Sequence, residues 1–118
     1  MMDLNQFKQL FEGFATTKIG VVGDIMLDTY WWGGVDRISP EAPVPIVSLQ
    51  RKETRVGGAA NVALNLRALG APTTLFAVVG KDTEGSDLNA LLKAEGINTQ
   101  YIYSSASRVT TNKVRIMG

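Results

Sequence analysis

Two carboxylates, Asp24 and Asp28, follow directly on an apolar run, Lys18-Ile-Gly-Val-Val-Gly23. If that run is a strand of an open parallel sheet, its carboxyl end is where a ligand binds. A carboxylate there can accept hydrogen bonds from two neighbouring hydroxyls of a polyol. The same residues also suit a plainer role, with Asp24 capping a local turn and Asp28 exposed. Gly57-Gly58, with Asn61 three residues on, is a second candidate. Two glycines ahead of a helix let the backbone approach a ligand and leave the first N–H groups free for oxygens. Asn61 adds a donor and an acceptor, although a tight turn uses the same glycine pair. Lys113 and Arg115 lie two apart in a strand-like segment, on one face with Thr111. Two cations and a hydroxyl on one face could hold a phosphate; a solvated edge strand alternates in the same way. Tyr30, Trp31 and Trp32 could stack on a sugar or pack a clasp between subunits.

Composition removes many other chemistries. The 118 residues contain no Cys and no His. Disulfides, zinc clusters, thiol nucleophiles, Ser-His-Asp triads and imidazole bases are therefore excluded. Any acid–base work falls to Asp, Glu, Lys or Tyr. The 12 Lys and Arg against 11 Asp and Glu leave a net charge of +1, which argues for neither a nucleic-acid nor a membrane-surface partner. No apolar run approaches the roughly 20 residues of a membrane span, and the N-terminus lacks the pattern of a secretory signal. A soluble, cytoplasmic protein of one domain is expected. Gly20-Val-Val-Gly23 departs from G-x-G-x-x-G, so a dinucleotide site has no support.

The elements that must position these residues follow from periodicity. Leu4, Phe7, Leu10, Phe11 and Phe14 recur at helical spacing after Asp3, which predicts an amphipathic helix over 3–14. Lys18 to Gly23, apolar on both faces, reads as a central parallel strand covered on both sides. Residues 29 to 56, with Gly33-Gly34 and the Pro-rich 39–45 stretch, read as an excursion of two or three strands outside the main sheet. A helix from about Ala59 to Leu69 follows, with Ala59, Val62, Ala63, Leu66 and Leu69 as its core stripe and Gly70 past its end. Thr74 to Val79 is the next strand. Asp82 caps a helix to about Glu95, with Leu88, Leu91 and Leu92 facing the core and Gly96 closing it. Strands at 100–103 and 110–116 complete an α/β pattern with a parallel sheet and flanking helices.

Taken together, Gly23-Asp-Ile-Met-Leu-Asp28, Gly57-Gly-Ala-Ala-Asn61 and Gly80-Lys-Asp-Thr-Glu-Gly85 resemble the N-terminal half of the ribokinase-like (PfkB) carbohydrate kinases. Arg37-Ile-Ser-Pro-Glu-Ala-Pro-Val-Pro45 and Thr110-Thr-Asn-Lys-Val-Arg115 are similar to the heptose 7-phosphate kinases within that family. The resemblance runs from about residue 18 to the end. It implies an α/β, ribokinase-like fold with a small β lid, whose strands come from about 29–56 and 109–118. It also implies a sugar phosphate substrate and a homodimer formed through the lid. Asp28, Gly58 and Asn61 match positions that bind sugar hydroxyls in such kinases; Gly57 and Asp24 adjoin them. Lys113 and Arg115 extend the set on charge and strand face alone. The family's later Gly-Ala-Gly-Asp motif, which carries the anion hole and catalytic base, does not occur in these 118 residues. The resemblance therefore implies the substrate-side half of a sugar kinase, with Mg-ATP used by the complete enzyme and none bound by this chain alone. The same half of a ribose, fructose or nucleoside kinase, or a non-catalytic module associating through its lid strands, would share much of this pattern.

Overall fold

A computed structural model describes all 118 residues. The chain runs α1 (Leu4–Phe14), β1 (Ile19–Val22), β2 (Ile25–Ile38), β3 (Pro45–Gly58), α2 (Ala59–Ala68), β4 (Thr73–Gly80), α3 (Thr83–Ala94), β5 (Ile102–Ser105) and β6 (Asn112–Met117). Local chemistry sets the helix ends. Asp3 and Gln6 form a reciprocal capping box at α1, each side chain accepting the other's backbone N–H at 2.9 and 2.8 Å. Gly70 and Gly96 take positive φ just beyond α2 and α3, where a side chain would be strained.

The strands form two sheets. One is parallel, in the order β1-β4-β5; the other is mixed, in the order β3-β2-β6, with β2 antiparallel to β3 and parallel to β6. Helices α2 and α3 pack on the face of the first sheet that carries Leu75 and Val79. There Ala60, Ala63, Leu88 and Leu92 join a core that also takes Ile25 and Leu27 from the start of β2. One apolar cluster thus ties both sheets together.

The excursion expected at 29–56 is two long strands, and it starts earlier, at Ile25. Asp28 consequently lies inside β2, paired with Arg55 of β3 and Lys113 of β6, rather than just past the end of β1. Strand β1, expected to be central and covered on both faces, is instead an edge strand, and Val22 is 83% exposed. The face of α2 is rotated from the expected stripe. Ala60 and Ala63 are buried, whereas Val62 and Leu69 are about half exposed, because small side chains let the helix sit close to the sheet. The third main strand starts at Ile102, since Gln100 N–H bonds the Asn98 side chain at 2.8 Å and holds the preceding residues in a turn.

A polar network joins the two sheets where α3 begins. Asp82 caps α3 by accepting Gly85 N–H at 2.8 Å, and it also accepts Thr110 N–H at 2.9 Å and Thr110 Oγ1–H at 2.6 Å. Thr110 Oγ1 in turn accepts Gly80 N–H at 2.8 Å. Only glycine fits at 80 and 85, because a Cβ at Gly85 would run into the Gly80 carbonyl and one at Gly80 into the Arg108 carbonyl. Thr110 stands two residues before β6, so this network fixes where β6 leaves the first sheet. The hydrogen bonds from Thr110 hold the Asp82 carboxyl below its ordinary pKa.

The molecule is open. Its radius of gyration is 19.0 Å, against about 13–14 Å for a compact chain of this length. Leu4, Phe7, Leu10 and Phe11 of α1 are exposed, as are Val22, Phe76, Val78, Tyr101 and Tyr103 on the sheet face away from α2 and α3. Bare apolar faces of this kind drive association. The isolated chain is expected to self-associate, and sedimentation showing only monomer over a wide concentration range would contradict this. A second expectation concerns the network. Thr110→Val strands the buried Gly80 N–H without an acceptor, which typically costs about 1–3 kcal/mol, read as a lower melting temperature. Because the Asp82 pKa is depressed in the folded state, its contribution is present above the ordinary carboxylate pKa and lost as pH falls through the folded value. Thermal melts of wild type and Asp82→Asn should therefore differ at neutral pH and converge in acid.

Candidate functional site

The alternation of β2 builds the site. Ile25, Leu27 and Thr29 point into the core and are at most 4% exposed, so Met26, Asp28, Tyr30 and Trp32 share the opposite face. Pairing sets what flanks them. Arg55, Glu53 and Arg51 of β3 stand opposite Asp28, Tyr30 and Trp32, while Lys113 and Arg115 of β6 stand opposite Asp28 and Tyr30. On the buried side, Thr29 Oγ1 donates to Asn112 Oδ1 at 2.7 Å and Leu27 N–H to Thr111 O at 3.0 Å, pinning β6 in this register.

The outer face thus carries four cations, two carboxylates and two aromatic rings. Arg115 Nη1 donates to Asp28 Oδ1 and, at 3.1 Å, to Tyr30 Oη; Tyr30 Oη–H reaches Asp28 Oδ2 at 3.4 Å. Both oxygens of Asp28 therefore have partners. Arg55 Nε donates to Glu53 Oε1 at 2.7 Å, which holds the Glu53 carboxyl below its ordinary pKa and raises that of Arg55. The guanidiniums of Arg55 and Arg115 lie 5.0 and 5.2 Å from the Tyr30 ring centre, and that of Arg51 3.8 Å from Trp32. The Tyr30 and Trp32 rings stack at 5.7 Å. Lys113 and Arg51 form no ion pair. Two of the four cations are thus uncompensated, and the face favours an anion that also offers hydroxyl groups or a flat apolar side.

The candidates named from sequence fall into three places. Asp28, Lys113 and Arg115 share this face, and Gly57 borders it, since a Cβ there would lie 3.0 Å from Met26 Cγ and 3.6 Å from Asp28 Cβ. Asp24 lies at the joint between β1 and β2, with its carboxylate exposed and 3.4 Å from Arg108 Nη2. Its carbonyl accepts Ala59 N–H at 2.8 Å, so the first N–H of α2 is not free for a ligand. Gly58 holds that turn at φ +64°, with no room for a Cβ against the Asp24 carbonyl. Asn61 is exposed on α2 and lines a groove of about 260 Å3 with Thr54, Arg55, Val56, Leu64, Leu91 and Glu95, and Arg55, opposite Asp28 in the ladder, borders both places. Sequence reasoning missed Arg51, Glu53 and Arg55, although their i, i+2 spacing is the signal for one strand face. It also missed Arg108, which nothing local marks.

Comparison with known proteins identifies the family. The profile of the pfkB family carbohydrate kinases matches residues 16–118. The chain is 50% identical over 115 residues to a D-beta-D-heptose 7-phosphate kinase of Bordetella bronchiseptica, covering 98% of this chain and 36% of that protein. It is 53% identical over 106 residues to the bifunctional protein HldE of Methylobacillus flagellatus, covering 90% of this chain and 22% of that one. It therefore spans about a third or less of these relatives. Among solved structures, a putative ribokinase from Agrobacterium tumefaciens superposes with a TM-score of 0.68 at 22% identity, covering 85% of this chain and 32% of that one. The fructokinase of Halothermothrix orenii superposes at 0.61 with 28% identity, covering 84% and 33%. The fold is thus ribokinase-like, a parallel sheet with flanking helices and a second small sheet, and this chain belongs to the pfkB family of carbohydrate kinases.

Proposed function

We propose that these residues form the sugar-binding side of a kinase for D-glycero-D-manno-heptose 7-phosphate, the N-terminal part of one ribokinase-like domain. In this reading the strands over 29–56 and 109–118 are its lid, and the complete enzyme works in the cytoplasm as a homodimer joined through that lid. The phosphoryl group passes from Mg-ATP to the anomeric hydroxyl. The observation that carries the reading is Asp28 on a face with two uncompensated cations, in a chain half identical to a heptose 7-phosphate kinase. Asp28 would take two sugar hydroxyls, with the Gly57-Gly58 turn allowing close backbone approach, and Lys113 and Arg115 would face the phosphate. Asp24 and Asn61 would act at the margin, Asp24 by holding the turn before α2. No helix is long and apolar enough to cross a membrane.

Mg-ATP belongs elsewhere in this reading. No three metal-ligating side chains of residues 1–118 cluster to hold a cation. No step of phosphoryl transfer is assigned to these residues.

Steady-state kinetics on a complete kinase carrying these residues tests the assignment. Asp28→Ala removes two charge-assisted hydrogen bonds and should cost about 2–4 kcal/mol, or roughly 30- to 1000-fold in kcat/KM for the sugar. The KM for ATP should stay nearly constant. Asn61→Ala should cost less, since a neutral amide bonds more weakly. Normal sugar kinetics for Asp28→Ala, or a defect towards ATP alone, would remove Asp28 as the sugar anchor. The 118-residue chain should show no saturable binding of Mg-ATP by isothermal titration; clear binding would overturn the placement of the nucleotide elsewhere.

A further inference from the structure

Resting on the sugar-kinase reading, we infer that Asp82, acting through Thr110, is a positioning residue for the sugar phosphate. It touches no side chain of the outer face. It holds the root of β6, and with it Lys113 and Arg115, which stand opposite Asp28 and Tyr30. Three donors converge on the Asp82 carboxylate: Gly85 N–H and Thr110 Oγ1–H on Oδ1, and Thr110 N–H on Oδ2. Both oxygens must accept, which an amide with one oxygen and one NH2 cannot reproduce. Thr110 is 6% exposed, and its hydroxyl oxygen accepts Gly80 N–H in turn. Two missing side chains make room for it. A Cβ at Gly80 would lie 2.9 Å from Thr110 N, and one at Gly85 would lie 3.0 Å from Thr110 Oγ1. The end of β4 and the first turn of α3 together clamp the chain just ahead of β6.

β6 needs such a clamp. It is an edge strand paired with β2 alone, and all six of its residues are exposed, so no apolar burial keeps it in place. A strand of this kind opens locally from its ends. Its first end matters most, because Lys113 meets Asp28 at the second position of the ladder and Arg115 meets Tyr30 at the fourth. The bonds of Thr111 to Leu27 and of Asn112 to Thr29 tie β6 to its neighbour within the second sheet. Thr110 ties it to β4 and α3, which the core holds. In the sugar-kinase reading the two cations receive a phosphate remote from the reacting hydroxyl. Their contacts then stabilise ground and transition states alike, so misplacing them raises KM and spares kcat. A network that only keeps the enzyme folded behaves differently. Its loss reduces the amount of active enzyme, so apparent kcat falls while neither KM moves.

Steady-state kinetics on a complete kinase carrying these residues tests the inference, with D-glycero-D-manno-heptose 7-phosphate and ATP varied separately. Asp82→Asn and Thr110→Val should each raise the KM for the sugar phosphate roughly 10-fold, with kcat and the KM for ATP within about 2-fold of wild type. Thr110→Ser keeps the hydroxyl and should stay within about 2-fold of wild type throughout. A Lys113→Ala/Arg115→Ala background should itself raise the sugar KM, and Thr110→Val should add little there, because its effect passes through those cations. A lower apparent kcat with both KM values unchanged makes the network structural only and overturns the inference. So does a sugar KM raised as much by Thr110→Ser as by Thr110→Val, or a full Thr110→Val effect in the doubly substituted background. An unaltered sugar KM in that background overturns it as well, and Asp28→Ala then separates the two ideas. A sugar defect in Asp28→Ala leaves the sugar-kinase reading standing, whereas normal sugar kinetics there removes both.

Discussion

Burial of one face of β2 is the constraint from which the site follows. Ile25, Leu27 and Thr29 enter the core that α2, α3 and β4 build. A strand presents successive residues to opposite sides, so that burial alone turns Asp28, Tyr30 and Trp32 outward together. A slip of one residue would place a carboxylate in the core and two leucine-sized groups in water. Desolvating an unpaired carboxylate costs far more than a register error in a two-sided polar strand. The position of Asp28 is therefore specified by hydrophobic burial on the far side of its own backbone. Chemistry on the open face gains a fixed frame without contributing to it.

The frame has a second anchor at its far end. β6 brings Lys113 and Arg115 to Asp28, yet every residue of β6 is exposed, so its own packing cannot set its position. Thr110 does so from outside the strand, through Asp82 and Gly80, while the Thr29–Asn112 bond fixes the register from beneath. A strand held by polar contacts at its root and by ladder bonds along its length can move more easily than one held by a core. The Asp82 network thus belongs to the site although it touches none of the site's side chains.

Much of this was legible in the sequence. Helix ends were marked by residues with a local capping job, such as Asp3 with Gln6, Asp82, Gly70 and Gly96, and each caps or closes its helix where expected, while the second role of Asp82, at Thr110, has no local signal. Element types followed from apolar periodicity, and strand alternation put Lys113 and Arg115 on one face, though it did not join them to Asp28. What failed depended on partners distant in sequence. The Lys18–Gly23 run reads as a doubly covered strand, but an apolar pattern records what a strand can bury rather than what covers it, and Val22 is open. The stripe of α2 missed because alanines at 60 and 63 outrank larger side chains where backbones approach closely. The four-cation face needed the register of three strands, and a single sequence prints no register.

Leaving four cations this close together looks unfavourable until solvent is considered. Unit charges about 7 Å apart repel by about 0.6 kcal/mol in water but by over 2 kcal/mol at an effective dielectric near 20. On the open face the penalty is therefore small, and Asp28, Glu53 and the rings of Tyr30 and Trp32 reduce it further. An anion that covered the face and excluded water would magnify attraction and repulsion by the same factor, so its own charge would decide the balance. The charges are thus tolerable on the open, solvated face. A single buried cation cannot work this way, because its desolvation cost is incurred permanently in folding. Spreading the charge over the exposed face of a sheet, around a carboxylate that one of the cations already occupies, allows the ligand's own charge to complete the balance.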